Sequence, residues 1–237
     1  MDKVLNIVGL TLLAGAAMPV GAALACLDSV FPKWLSSEGR HGIMAFGGGA
    51  LVSAVALVLV PEGCNALTVV PAALSFAAGG IAFMALDVWL ARTKSPAGQL
   101  AAMLSDFVPE ALALGAAFST GSSVGLLLAA LIAIQNLPEG FNAYREMTES
   151  GRIKGQSVIV AFSLMALLGP VSGLLGFFFL GQLPQLLGVI MLFASGGILY
   201  VVFQDIAPNA RIENRWTPAL GAVAGFLLGL IGNMLVA

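Results

Sequence analysis

Runs of about 20 consecutive apolar residues, the length that carries an α-helix across a hydrocarbon core about 30 Å thick, recur along the whole chain. Roughly eight can be counted, at approximately 4–30, 41–61, 70–91, 98–118, 123–144, 157–180, 184–206 and 217–236. The links between them are short, so no stretch is left for a separate soluble domain. Only 9% of the residues are charged, against about 25% in a typical soluble domain, too few to cover a surface facing water. The strict alternation of a membrane β-barrel is absent. The expected fold is therefore all-α: one polytopic domain, residues 1–237, with eight transmembrane helices and the lipid bilayer as its solvent.

The first run raises the question of a secretory signal. Asp2 cancels Lys3, and the apolar run exceeds the 7–15 residues of a signal core, so a retained first helix is expected. Basic residues give an independent test of the span count. Lys33 and Arg40 fall between runs one and two, Arg92 and Lys94 between three and four, Arg145, Arg152 and Lys154 between five and six, and Arg211 and Arg215 between seven and eight. Nine of the ten basic residues thus share one side, Lys3 being the exception. By the positive-inside rule that side is the cytoplasm of a plasma membrane, with both termini outside. Cys26 and Cys64 fall toward opposite faces and are not expected to bridge.

Most of the twelve acids lie near span ends or in links, but Asp106, Glu110 and Glu139 lie well inside runs. An acid at a helix centre costs about 2.5–3.5 kcal/mol on the translocon insertion scale, so something must offset three of them. Asp106 and Glu110 are four residues apart, as are Gln135 and Glu139, which places each pair on one helix face. Runs four and five are joined by a short link and must be antiparallel, so the two motifs meet near mid-bilayer, with Asn136 adjacent. Pro109 and Pro138 kink both helices and remove the backbone donors that would bond the carbonyls of Ser105 and Ile134. Irregular backbone at such depth is tolerated where it lines a wet cavity. A kink, carboxylates and an amide together describe a cation site, and a divalent ion supplies the charge that keeps the acids ionised.

The paired segments "PEALALGAAF" and "IAIQNLPEGFNA" resemble the fourth and fifth helices of the ZIP (Zrt/Irt-like) family of divalent metal transporters. "GGILYVVFQDIAPNA" followed by "ALGAVAGFLLGL" is similar to that family's seventh and eighth helices. The resemblance implies transport of a divalent transition metal (Zn²⁺, Mn²⁺, Fe²⁺ or similar) into the cytoplasm, and homodimers. Residue by residue it makes Asp106, Glu110, Gln135 and Glu139 the main site and puts Asn136 toward a neighbouring second one. Two departures weaken that second site: Gly169 precedes Pro170 in the sixth run, where the family often has glutamate, and Phe107 stands where a polar ligand is frequent.

The family's histidines are replaced by Asp106 and Gln135. The remaining donors are oxygens, which suit Mn²⁺ better than imidazole does, so selectivity is expected to tilt from strict Zn²⁺ preference toward Mn²⁺ or Fe²⁺. Plainer readings stand beside these. The acids are also consistent with a structural, protonated or paired role, and Gln135 and Asn136 with interhelical hydrogen bonding alone. Glu62 is either a cation-gathering entrance residue or a solvated helix-end acid, and Asp205 and Asn209 either line the inner exit or merely end a helix. His41 reads as a surface residue. A proton-coupled carrier of a small organic solute, using the buried acids as a relay, is the alternative function. No HExxH or comparable cluster suggests an enzyme, and neither a prosthetic group nor a nucleic-acid partner is expected.

Overall fold

The computed structural model describes residues 2–30, 36–93, 97–120, 124–149, 151 and 153–236. Among these the chain forms eight helical rods: α1 (Asp2–Val30), α2 (Ser37–Asn65), α3 (Val69–Thr93), α4 (Ala97–Thr120), α5 (Val124–Glu149), α6 (Gly155–Gln182), α7 (Pro184–Asn209) and α8 (Thr217–Val236). Seven of them, α1 to α3 and α5 to α8, are long and apolar enough to cross a membrane by length and composition. The rods follow the apolar runs to within a few residues. The largest difference is at α5, where the polar tail Arg145–Glu149 continues the helix past the apolar stretch.

Proline interrupts the helices in three ways. Pro109 and Pro138 sit inside α4 and α5. In α6 the helix breaks at Leu167, because Pro170 has no N–H to offer the carbonyl of Ala166. In α2 and α7 the chain widens into a π turn just before a proline. Val60 N–H bonds the Val55 carbonyl ahead of Pro61, and Ala207 N–H bonds the Val202 carbonyl ahead of Pro208. Such single π turns cluster at functional positions.

Contacts divide the rods into two groups, α1, α4, α5, α6 and α2, α3, α7, α8. The closest partners are α1 with α5, α4 with α6, α2 with α8 and α3 with α7. Glycines set these approaches, each facing a backbone carbonyl of the other helix. Gly21 faces Leu137 while Gly140 faces Met18, and Gly79 faces Phe193 while Gly196 faces Phe76. The α4–α6 and α2–α8 pairs repeat the arrangement. A methyl added at any of these glycines would overlap a backbone oxygen, so small residues are what let the helices approach.

Exchanging α1 with α6, α2 with α7, α3 with α8 and α4 with α5 reproduces this pattern, including both π turns and both proline–glutamate motifs. The groups meet where α2 packs on α5 and α4 on α7, and the same exchange interconverts those contacts. Related helices lie five positions apart in chain order, or one apart for α4 and α5, an odd number in every case, so they run in opposite directions: the fold is an inverted repeat, an architecture common among transporters. The outer faces of α3 and α8 carry exposed Val69, Leu74, Ile81, Leu220, Leu227 and Leu235. In water these would form large apolar patches, whereas a lipid surround accepts them.

Candidate metal site and its cavity

Helices α4 and α5 cross with their motifs side by side, as the four-residue spacings predict. Asp106, Glu110, Gln135 and Asn136 are all buried, with 5%, 0%, 1% and 2% of their surface exposed, and Glu139 is half-buried. Asp106 acts electrostatically on both Glu110 and Glu139, and Glu110 acts on Glu139, so the three carboxyls share one neighbourhood. From Glu139 to the end of α5 at Glu149 is ten residues, about 15 Å of helix. The site thus lies near the middle of α5 (Val124–Glu149), as Asp106 and Glu110 lie near the middle of α4 (Ala97–Thr120).

The side chains are not drawn into one tight cluster. The Gln135 amide donates to both oxygens of Glu110, at 2.6 and 2.7 Å, and so ties α5 to α4 across the crossing. The oxygen of the same amide, Gln135 Oε1, and one carboxylate oxygen, Asp106 Oδ1, are buried with no hydrogen-bond partner. Two orphaned acceptors beside two further carboxylates are costly, and this donor set of oxygens suits a hard or borderline cation. Among the described residues, no three His, Cys, Asp or Glu side chains stand close enough to surround one ion. With Glu110 held by Gln135, the acids that face open space are Asp106 and Glu139.

That space is a polar cavity of about 810 Å³ reaching from Asp106, Pro138 and Glu139 to one end of the bundle. Its mouth is formed by Ser37 at the start of α2, Glu149 at the end of α5 and Asn209 at the end of α7. Arg40, in the first turn of α2, and Arg145, near the end of α5, also line it. The α7–α8 link is tied to the same end, because Arg215 pairs with Glu38 at 2.8 Å. Of the remaining basic residues, Lys33, Lys94 and Arg152 lie outside the described residues.

Asp205 and Asn209 line this mouth and are joined by a 2.6 Å hydrogen bond from the Asn209 amide to the Asp205 carboxylate. Glu62, in contrast, lies at the opposite end of α2 and does not line the cavity.

The neighbouring position that the resemblance assigns to a second site is filled. Phe107 is 1% exposed, and its ring tip lies where a side chain on either Gly15 or Gly169 would begin. The Asn136 amide turns toward α1 and donates to the Ala14 carbonyl at 3.0 Å. Phe107 and Gly169 are thus two halves of one packing arrangement, the ring filling the space that the missing side chain leaves.

Sequence reasoning missed several lining residues. His41, taken as a surface residue, lines the cavity. Its Nδ1 lies 2.7 Å from the Ser37 carbonyl; a carbonyl can only accept, so Nδ1 is the donor of this bond. On α5, Glu139, Asn142, Glu146 and Glu149 all line the cavity. With Gln135 they recur at intervals of four, three, four and three, one continuous helix face. That polar stripe is visible in the sequence and leads from the buried site to the mouth.

No protein-family model matches the chain, and no curated protein sequence is significantly similar to it.

Proposed function

We propose that this chain is a ZIP-like transporter that carries a divalent transition-metal cation across the plasma membrane into the cytoplasm, with all eight rods spanning the bilayer. The observation that carries the reading is the pair of orphaned oxygens, Asp106 Oδ1 and Gln135 Oε1, beside Glu110 and Glu139 where two helices with internal prolines meet. A cation at that point satisfies both acceptors and offsets the charge of the acids. The basic residues around the mouth support a cytoplasmic position for that end by the positive-inside rule, and on this reading the cavity is the inner half of the path.

Binding follows from what each residue offers. Asp106 and Glu139 face the cavity and receive the ion as it sheds water. Glu110 completes the shell when Gln135 turns its amide, exchanging a hydrogen bond for a metal–oxygen contact through Oε1. The polar stripe of α5, with His41 and Asp205 opposite, takes up the ion on its way out. The filled pocket at Phe107 supports a single site. Access from the opposite face follows from the inverted repeat, as the group α1, α4, α5, α6 shifts against α2, α3, α7, α8.

A ligand that binds only the native state raises its stability by about 2.7 kcal/mol at one hundred times its dissociation constant. For a chain of this size that is a rise in melting temperature on the order of 5–10 °C. Purified protein in detergent is expected to show it with Mn²⁺, Fe²⁺ or Zn²⁺ and not with Mg²⁺. An equal rise with Mg²⁺, or none with any metal, contradicts the site. A proton relay would then explain the buried acids better.

A further inference from the structure

A second cavity, of about 660 Å³, lies between α2, the π turn of α7 and α8. Its long wall is apolar, formed by residues such as Val52, Ala219, Val223, Phe226 and Leu230. At its end, in the α7–α8 link, stand Arg211 and Arg215. The link is shaped to present both. A turn closed by the Arg215 N–H on the Ile212 carbonyl at 3.3 Å contains Asn214 in the left-handed conformation, φ 58°, which asparagine tolerates better than most residues. Trp216 follows at 85% exposure, the kind of side chain that settles at the membrane interface.

We infer that this groove binds an anionic diacyl phospholipid, one acyl chain lying along α8 and the phosphate held by Arg211 and Arg215. Length, apolarity and a cationic end together match an anionic lipid better than free phosphate, which would leave the apolar wall unused. Guanidinium groups bind phosphate oxygens in pairs, and basic pockets between helices at the membrane surface recognise anionic headgroups. Glu213 lies between the two arginines in sequence but is not among the groove residues. Arg215 also pairs with Glu38. Its side chain is 63% exposed, and such exposed pairs are weak, so a headgroup can share or displace that contact.

The groove adjoins the polar cavity. Gly48 and Ile206 line both, and a methyl added at Gly48 would meet the Ile206 side chain. A lipid chain here backs the π turn of α7 from the membrane side while Asp205 faces the cavity on the other.

Native mass spectrometry of the full chain, delipidated and then titrated with phosphatidylglycerol, phosphatidylcholine or inorganic phosphate, tests the assignment. One phosphatidylglycerol should bind at least about tenfold more tightly than phosphatidylcholine, the equivalent of one charged hydrogen bond. Arg211→Gln should remove that preference, and Ala219→Trp, at an exposed groove position, should weaken both lipids. Equal affinity for the two lipids, a preference untouched by Arg211→Gln, or binding of inorganic phosphate as tight as that of phosphatidylglycerol overturns the proposal. So does conversion of a dimer to a monomer by Ala219→Trp with lipid binding unchanged, which would assign the groove to a second copy of the chain. None of these outcomes bears on the metal reading, because neither substituted residue touches the site at Asp106 and Glu139.

Discussion

Glu110→Ala is expected to abolish the rise of melting temperature with metal and to lower stability by about 1–3 kcal/mol in the absence of metal, whereas Glu110→Gln should abolish the rise at little cost. The difference arises at Gln135. Its amide now donates to both Glu110 oxygens, and truncation to alanine leaves that buried donor unsatisfied, for which the penalty is of this size. Glutamine keeps an oxygen in place for the amide but no charge for a divalent ion. Thermal unfolding of the three proteins with and without Mn²⁺ separates the two roles of one residue. A metal response retained in Glu110→Ala would show that Glu110 is an interhelical tie and nothing more.

The second large effect is expected at Phe107. Its ring is fully enclosed between α1 and α6, against Gly15 and Gly169, and neither glycine has a side chain with which to close a gap. Phe107→Ala should therefore cost about 3–5 kcal/mol, the range for emptying a buried phenylalanine site that relaxes little. Backbone-to-backbone contacts such as Gly21 on Leu137 hold α1 against α5 and limit collapse into the space. Denaturation midpoints in detergent measure the loss. A cost below about 1 kcal/mol would mean that α1 and α6 move inward to refill the space, and that the ring does not set their spacing.

The spans were legible because a bilayer demands length and apolarity, and these are written residue by residue. The pairing of α4 with α5 was legible for a different reason: a four-residue spacing, a short link and the cost of a buried acid together leave few arrangements. The cavity was not legible. Its walls come from α2 and α7 as well as α5, and nothing in the spacing of Ser37 or His41 within their own segment says that they converge on Asp205 and Asn209. Phe107 and Gly169 could each be named as a departure from the family pattern, but their compensation depends on α6 breaking at Leu167 and bringing Gly169 to the ring. The polar stripe from Gln135 to Glu149 is the exception, a sequence signal that was available. It was obscured because its outer members resemble ordinary helix-end charges.

The central claim is that the crossing of α4 and α5 is where a metal ion passes. Uptake into liposomes holding a metal-sensitive dye tests it most directly, comparing Mn²⁺, Fe²⁺, Zn²⁺, Cd²⁺ and Ca²⁺ for the unaltered protein and for Glu110→Ala with Glu139→Ala. Entry of a transition metal, with Mn²⁺ or Fe²⁺ at least equal to Zn²⁺, and its loss in the folded double variant is the predicted result. Entry that survives both substitutions, or no entry of any metal through correctly inserted protein, would contradict it.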